Sequence, residues 1–185
     1  MDIKIAYTGH RPDKIYGYNL SHPKYLQLKN CIIKAIEYIV NKNNVDKIIN
    51  ITGGALGFDT IAFQIGEFLK EFIDLKQVLA IPFEEQYIRW KKNDIDNYNN
   101  MKNNSLCIYV DELDDYSLKY CPTRKYNPAK MQKRNEWMVD NCDVLIACWN
   151  GNKFGGTYNC ISYAKKINKS IIYINPNTLQ IDYNL

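Results

Sequence analysis

Short apolar runs alternate along the chain with longer segments that suit helices. Six β-rich runs predict strands, at residues 3–7, 47–51, 77–81, 106–110, 144–148 and 170–174. The segments between them predict helices, at residues 23–41, 57–72, 84–101, 129–141 and 157–167. In the first of these, Leu28, Ile32 and Ile36 follow the spacing of one helix face, whereas the segment at 84–101 is polar. Residues 111–128 have no clear period and contain two prolines, so we predict an excursion loop there.

This alternation predicts an α/β fold, with a mostly parallel sheet of about six strands and helices on both faces. Several strands are almost continuously apolar, as expected when both faces of a sheet are covered. No internal repeat or low-complexity linker divides the chain, so we expect one domain over residues 1–185. Ligands of such doubly wound sheets bind at the carboxyl ends of the strands, where the strand order reverses. The loops that follow the strands are therefore the candidate site.

Composition narrows the possible classes of protein. Hydrophobic residues make up 46% and charged residues 24% of the chain, which is typical of a globular protein, and the net charge is only +4. A dedicated nucleic-acid binder would be more basic, so we do not expect a nucleic-acid partner. No apolar stretch approaches the roughly 20 residues that span a bilayer, and no signal peptide is recognisable. We expect a cytoplasmic protein without a membrane partner.

Six cysteines and two histidines raise the question of a metal. No two cysteines form a C-x-x-C pair, so we expect no metal site and no cofactor. Several of the cysteines are expected in the core as reduced thiols.

The first loop with candidate chemistry follows the first strand and contains Thr8, Gly9, His10 and Arg11. Gly9 permits tight backbone geometry, and His10 and Arg11 supply donors for an anionic or polar ligand. The structural alternative is an ordinary strand exit with a solvated arginine.

Two glycine-rich loops each join a strand to a helix. The first contains Gly53, Gly54, Ala55, Gly57 and Asp59, and it matches neither the Walker A nor the G-x-G-x-x-G pattern. Missing β-carbons let a phosphate approach the backbone, and free N–H groups at a helix start favour anions. The alternative is a turn used for packing, with Asp59 favouring the helix dipole.

The second glycine-rich loop contains Gly155, Gly156 and Thr157. It is either another phosphate cradle or a helix start that Thr157 caps. Two such loops in one parallel sheet suggest a ligand with a phosphate or diphosphate across the edge of the sheet.

The helix at residues 131–138 contains an arginine, Arg134, that is a candidate for a buried charge. Met131 and Met138 are seven residues apart and share a face with Arg134 and Asn135. A guanidinium within an apolar stripe needs a partner, which is either a buried carboxylate or a phosphate or ribose of a ligand.

Aromatic residues surround these loops. Pro82 and Phe83 end the third strand, Trp90 lies further along, and Trp149 and Asn150 directly follow the fifth strand. Trp149 can stack on a base while Asn150 bonds the base edge or the ribose. Alternatively, Trp149 packs against a neighbouring loop or subunit.

In this order, the loops resemble the SLOG superfamily. The shared patterns are T-G-x-R-P, G-x-x-x-G-x-D/E, P-F, R-N-x-x-M-V-D-x-C/S-D and G-G-T, found here at residues 8–12, 53–59, 82–83, 134–143 and 155–157. The resemblance covers nearly the whole chain and is greatest to small single-domain bacterial and phage members of unknown function. It implies a Rossmann-like domain that binds a nucleotide-derived ligand at the strand ends.

The superfamily includes enzymes as well as binding proteins. The Lonely Guy members hydrolyse the N-glycosidic bond of a nucleoside monophosphate, through M-x-x-R-K-x-x-M and P-G-G-x-G-T-x-x-E motifs in which the arginine and the final glutamate are catalytic. Met131, Arg134 and Met138 match the first motif, but Cys160 stands at the position of that glutamate. A thiol neither stabilises an oxocarbenium ion nor activates water well, so we assign no catalytic residue. Asp59 or Glu84 could substitute for the missing acid.

Other SLOG domains in bacterial defence resemble sensors of NAD-derived signals. We therefore expect a sensor or sequestering protein for ADP-ribose, cyclic ADP-ribose or a related signal, with a role in conflict between phage and bacterium. A nucleotide N-glycosidase is the alternative, and single-stranded nucleic-acid binding, by analogy with the DNA-processing protein of competence, is the second alternative. We also expect a homo-oligomer.

Overall fold

Seven strands and five helices alternate in the computed structural model, which describes residues 1–184. Leu185, the last residue of the expected domain, lies outside the described residues. The strands are β1 Asp2–Gly9, β2 Lys47–Thr52, β3 Asp74–Ile81, β4 Leu106–Tyr109, β5 Val144–Cys148, β6 Ser170–Ile174 and β7 Ile181–Asn184. The helices are α1 Pro23–Asn43, α2 Phe58–Leu69, α3 Lys92–Asn103, α4 Pro128–Asp140 and α5 Gly156–Lys166.

All seven strands belong to one sheet, in the order β4-β3-β2-β1-β5-β6-β7. Only the pair β6–β7 is antiparallel. The α/β fold with a mostly parallel sheet is therefore confirmed. The chain builds β2, β3 and β4 on one side of β1 and then returns to place β5 on the other side. Gly9 pairs with Cys148 in this register, so the loops after β1 and β5 leave the sheet side by side at the point where strand order reverses.

The helices cover both faces of the sheet. One core cluster joins α1 and α2 to β1, through residues such as Ile32, Ile61 and Ile5. The opposite cluster joins α4 and α5 to the other face of β1 and β5, through residues such as Val139 and Ile161. This division follows from right-handed crossovers between parallel strands. When successive strands extend the sheet in one direction, right-handed crossovers place all of their helices on the same face.

Helix α1 illustrates how the sequence specifies these elements. Leu28, Ile32 and Ile39 have no exposed surface, because their spacing places them on the face towards the sheet. The helix begins with Pro23 behind His22, whose Nδ1 accepts the N–H of Lys24 at 3.2 Å. It ends before Asn44, which has the left-handed conformation (φ 49°) of a common helix terminus.

β3 begins three residues earlier and α2 ends three residues earlier than the sequence predicts, and two other elements differ more. Helix α3 begins at Lys92 rather than at residue 84, because residues 83–90 form successive turns in which Tyr87 and Trp90 pack on the ring of Tyr98. Strand β7 was not predicted, since it has only four residues and pairs at the edge of the sheet.

The excursion loop at residues 111–128 is held by a buried lysine. Lys130 Nζ donates to Asp111 Oδ2 at 2.9 Å, to the Pro122 carbonyl at 2.7 Å and to the Lys125 carbonyl at 2.8 Å. The side chains of Lys130 and Asp111 are each 1% exposed. The loop therefore has a defined conformation, with only a short 3-10 turn at Val110–Glu112.

All six cysteines have free thiols, and Cys31, Cys142, Cys148 and Cys160 are buried. Within residues 1–184, no helix combines the length and apolar character that crossing a membrane requires.

Candidate functional site

A cavity of about 400 Å³ opens at the carboxyl ends of β1 and β5, and we call it the switch-point cavity. Its walls come from the loop after β1, the start of α2, the middle of α4 and the start of α5. The predicted site residues that line it are Thr8, Gly9, His10, Arg11, Ala55, Asp59, Arg134, Asn135, Gly155, Gly156 and Thr157. Segments from all four parts of the chain therefore meet where the topology predicts a ligand.

Arg134 is the central charged group of this cavity and is only 5% exposed. Its Nη1 donates to the carbonyl of Gly53, and its Nε donates to Asn135 Oδ1 at 3.0 Å. Burial lowers the pKa of the guanidinium, and the nearby Asp59 carboxyl opposes that shift. The side chain is thus anchored to the end of β2 by the backbone rather than by a close ion pair.

Asp59 fills the loop that was expected to cradle a phosphate. Its Oδ2 accepts the N–H groups of Gly53, at 3.1 Å, and of Ala55, at 3.3 Å. Burial raises the pKa of the carboxyl, while Arg134 and these two amides act in the opposite direction. Because the carboxylate already satisfies both donors, this loop does not offer them to a ligand anion.

The start of α5 is open. Gly155 precedes the helix at φ 89°, and no side chain caps the helix. Its carbonyl accepts the N–H of Asn159 at 3.0 Å, which leaves the N–H groups of Gly156, Thr157 and Tyr158 without partners in the helix. The expected alternative, capping by Thr157, is not what the structure has, because Thr157 is already inside the helix. Asn135 Nδ2 reaches the Gly156 carbonyl at 3.4 Å and joins this helix start to α4.

The glycines of the site have different reasons for being glycine. A β-carbon on Gly9 would lie 2.5 Å from Phe58, and one on Gly57 would lie 2.6 Å from the His10 carbonyl, so these two serve close packing. Gly155 has a positive φ that favours glycine. A β-carbon on Gly156 would meet no atom within 4 Å, and its φ is not positive. Nothing within the fold therefore requires glycine at position 156.

His10 joins the two loops at the reversal point. Its Nε2 accepts the N–H of Asn150 at 3.3 Å, and the residue is 5% exposed. Burial lowers the pKa of the imidazole, which favours the neutral ring with its proton on Nδ1. Asn150 thus contributes through its backbone, while its side-chain Oδ1 accepts the N–H of Asn152 at 3.0 Å.

Several predicted residues lie elsewhere. Pro82 and Phe83 are buried at the end of β3, and the ring of Phe83 meets Tyr126 edge-on at 5.5 Å. Trp149 stacks on Tyr158 at 6.2 Å and lines an open groove beyond β6.

Gly53 packs against Arg134 instead of lining the cavity. Gly54 and Gly57 line a second cavity of about 400 Å³ on the other side of their loop.

The structure adds five lining residues that the sequence prediction did not include, namely Tyr7, Asp13, Lys14, Met131 and Phe154. Arg11 directly precedes the 3-10 turn at Pro12–Lys14, and Lys14 follows it by three residues. In a 3-10 turn this spacing places both side chains on the same side of the turn. Within residues 1–184, neither Arg11 nor Lys14 forms an ion pair. The proline and lysine after Arg11 were the available signal for this turn.

Cys160, which stands at the position of the catalytic glutamate of the Lonely Guy enzymes, is part of the core. Cys160 has no exposed surface, and burial raises the pKa of its thiol to about 12. Glu84 lies 3.6 Å from Arg124 and does not line the cavity. The carboxyl groups in the lining are those of Asp13 and Asp59.

Known proteins are similar to this chain over most of its length. The model of the YspA SLOG family matches residues 5–179. The uncharacterized SPbeta prophage-derived protein YoqJ of Bacillus subtilis (strain 168) is 39% identical over 149 residues, which cover 80% of this chain and 85% of that protein. A UPF0398 protein of Bacillus cereus (strain G9842) is 26% identical over 164 residues, covering 88% and 82% of the two chains. The crystal structure of a conserved domain protein from Vibrio cholerae aligns at 9% identity with a TM-score of 0.22, over 94% of this chain and 74% of that one.

Proposed function

Because this chain belongs to the YspA SLOG family, we propose that its switch-point cavity binds a phosphorylated, nucleotide-derived small molecule. The ligand class we propose is ADP-ribose, cyclic ADP-ribose or a related NAD-derived signal. The protein holds this ligand as a sensor or as a sequestering protein.

The observation that carries this proposal is Gly156. Its missing side chain leaves open the space in front of an uncapped helix start, although no atom of the protein needs that space. Free N–H groups and the helix dipole make such a start favourable for a phosphate. A ligand oxygen close to the backbone would explain why residue 156 is glycine, whereas packing within the protein does not explain it.

The charges around this helix start agree with an anionic ligand. Arg11, Lys14 and Arg134 line the same cavity, against Asp13 and Asp59. The Asp59 carboxylate is already bonded to two amides, and Arg11 and Lys14 have no ion-pair partner among residues 1–184. Two rim cations and one buried guanidinium suit a phosphate or diphosphate, and arginine in particular binds phosphate through a planar fork.

Binding without turnover is favoured by what replaces the catalytic acid. A buried neutral thiol at position 160 can neither donate charge stabilisation to an oxocarbenium ion nor activate water. The second candidate, a nucleotide N-glycosidase, is supported by Asp59, a buried carboxyl in the cavity with a raised pKa. In that reaction water adds across the bond from ribose C1′ to the base nitrogen and gives free base and a ribose phosphate.

Sequestration also fits the source of one relative. YoqJ is described as derived from a prophage. We propose that this chain acts in conflict between phage and bacterium, by removing a nucleotide signal from solution. Expression of the chain should then lower the free concentration of such a signal in a cell that produces it, and a variant that cannot bind should not.

Self-association is a further part of the proposal. Tyr120 and Tyr126 of the excursion loop are 74% and 66% exposed, and Phe154 at the mouth of the cavity is 77% exposed. Large exposed aromatic side chains are typical of contact surfaces. Gel filtration with light scattering should give at least twice the mass of one chain, and the mass of a single chain would contradict this.

The experiment that tests the ligand class starts from the purified protein. Mass spectrometry of small molecules released on denaturation should find a nucleotide-derived phosphate ester. Thermal unfolding with added NAD, ADP-ribose, its cyclic isomers and AMP should show a raised midpoint for the matching compound, since a ligand stabilises the state it binds. No shift with any of them at millimolar concentration would contradict the proposal.

A further inference from the structure

The second cavity lies beside the switch-point cavity, and the two differ sharply in chemistry. Residues 54–57 separate them, with Ala55 facing the switch-point cavity and Gly54, Leu56 and Gly57 facing the second. The ridge between them is tight, because the Phe58 N–H donates to the His10 carbonyl at 3.3 Å. A ligand that occupies both cavities has to cross this ridge, with one end on each side of it.

Three aromatic rings contribute to the wall of the second cavity. Trp90, Tyr98 and Tyr18 all line it. The rings of Trp90 and Tyr98 meet edge-on at 5.5 Å, and Tyr98 is only 1% exposed, so this part of the wall is fixed. Gly54 contributes backbone here, since a β-carbon would lie 2.8 Å from the Tyr98 ring. The result is a set of flat surfaces suited to a planar ring.

Two neutral amides on α3 are among the polar groups of this cavity. Asn93 and Asn97 lie four residues apart on α3, on one face of the helix, and both line the cavity. Both residues are exposed, so their carboxamides are open to the cavity. Each therefore has donors and an acceptor available for a ligand.

The charges at the rim balance. Lys91 Nζ lies 5.9 Å from the centre of the Tyr18 ring, and Asp94 is the acidic group of the lining. With one cation and one anion, this cavity does not select for a phosphate, whereas the switch-point cavity has an excess of cations.

We propose that the second cavity binds the base and ribose of the ligand, while the phosphates lie at the start of α5. This inference rests on the proposed function and extends it to a ligand with two separate ends. Trp90 supplies the aromatic contact, the carboxamides of Asn93 and Asn97 bond the base edge, and Asp94 accepts from a ribose hydroxyl. Stacking on a base was one of two alternatives for Trp149, and in the structure its ring stacks on Tyr158.

The test uses adenosine, which has the base and ribose but no phosphate. Adenosine should quench the tryptophan fluorescence of the wild-type protein in a saturable manner. The quenching should persist in Trp149→Phe and disappear in Trp90→Phe. Quenching that is unchanged in Trp90→Phe would overturn the placement.

Calorimetry separates loss of binding from loss of the fluorescent reporter. Asn97→Ala should raise the Kd for adenosine about fivefold or more, a cost of about 1 kcal/mol for a lost hydrogen bond. Asn99→Ala, an exposed asparagine on α3 that does not line the cavity, is the matched control and should leave the Kd unchanged. Equal effects of the two variants would overturn the inference.

Competition distinguishes this inference from the proposed function. ADP-ribose should displace adenosine. Gly156→Ala should weaken the binding of ADP-ribose but not the binding of adenosine. If ADP-ribose binds in a manner sensitive to Gly156→Ala while adenosine does not bind or is not displaced, the inference fails and the proposed function stands. If adenosine binds at Trp90 but no phosphorylated compound depends on Gly156, the proposed function fails and the second cavity is a site for nucleosides alone.

Discussion

A β-carbon on residue 53 would lie 1.7 Å from Nη1 of Arg134, so the guanidinium occupies the space that any side chain at Gly53 would need. The same guanidinium donates to the Gly53 carbonyl. The glycine at the end of β2 and the arginine of α4 are therefore one structural unit, although 81 residues separate them in sequence. This unit fixes the positive charge of the switch-point cavity.

Replacing Gly53 by alanine should displace Arg134 and weaken binding of the phosphorylated ligand. Overpacking a buried site costs about 1–3 kcal/mol, which urea denaturation should show as a lower free energy of unfolding. The cost should be smaller when Arg134→Ala is already present, because the methyl group then no longer overlaps the guanidinium and only the approach to Asp59 Oδ2, at 2.9 Å, remains. Additive costs in this double-mutant cycle would contradict the unit described above.

Lys130→Met should destabilise the protein strongly. It leaves the Asp111 carboxylate buried without its cation and two carbonyls without their donor, and breaking a buried pair in this way costs about 3–5 kcal/mol. Adding Asp111→Leu to Lys130→Met should restore part of this loss, since no buried charge remains unpaired. A cost below about 1 kcal/mol for Lys130→Met would contradict a buried, paired lysine.

Stability should depend on pH through His10. Burial places the pKa of folded His10 below the ordinary value of 6.5, so the unfolded chain binds this proton more readily. The contribution of His10 is fully present above about pH 6.5 and is lost as the pH falls below that value towards the folded pKa. Urea denaturation at about pH 7.5 and 5.5 should therefore show a smaller loss of stability for His10→Gln than for the wild type. An equal loss of stability in His10→Gln and the wild type would contradict this role of His10.

Asp59→Asn separates the binding protein from the enzyme. Asparagine keeps an oxygen that can accept from the Gly53 and Ala55 amides, and it removes a negative charge from the cavity. For a binding protein, calorimetry should show equal or several-fold tighter binding of ADP-ribose. Chromatography should find no base released from AMP by either form. Base release by the wild type that disappears in Asp59→Asn would instead establish the N-glycosidase.

The alternation of strands and helices could be predicted because several strands are almost continuously apolar and α1 repeats its apolar residues on one face. The β5 and β6 bounds, Val144–Cys148 and Ser170–Ile174, agree with the prediction residue for residue. The start of α3 could not be predicted, since it depends on Tyr87 and Trp90 packing on Tyr98 rather than on local preference.

The candidate site could be located from sequence but not resolved into roles. A glycine in a sequence does not reveal what excludes its side chain. At Gly53 it is Arg134, at Gly9 it is Phe58, and at Gly156 it is no group of the protein. The sequence does not distinguish Lys130 from an exposed helix lysine, because two of its acceptors are carbonyls of a loop without a sequence pattern.

The most direct test of the central claim is calorimetric titration of ADP-ribose into the wild type, Gly156→Ala and Asn159→Ala. Gly156 is at the first position of α5, where alanine fits without a clash and should leave thermal stability equal or slightly higher. Asn159 is an exposed residue of the same helix outside the cavity and serves as the control. The account predicts a Kd raised at least tenfold in Gly156→Ala, about 1.4 kcal/mol, and unchanged in Asn159→Ala. Binding of equal affinity in all three proteins would contradict a phosphate at the start of α5.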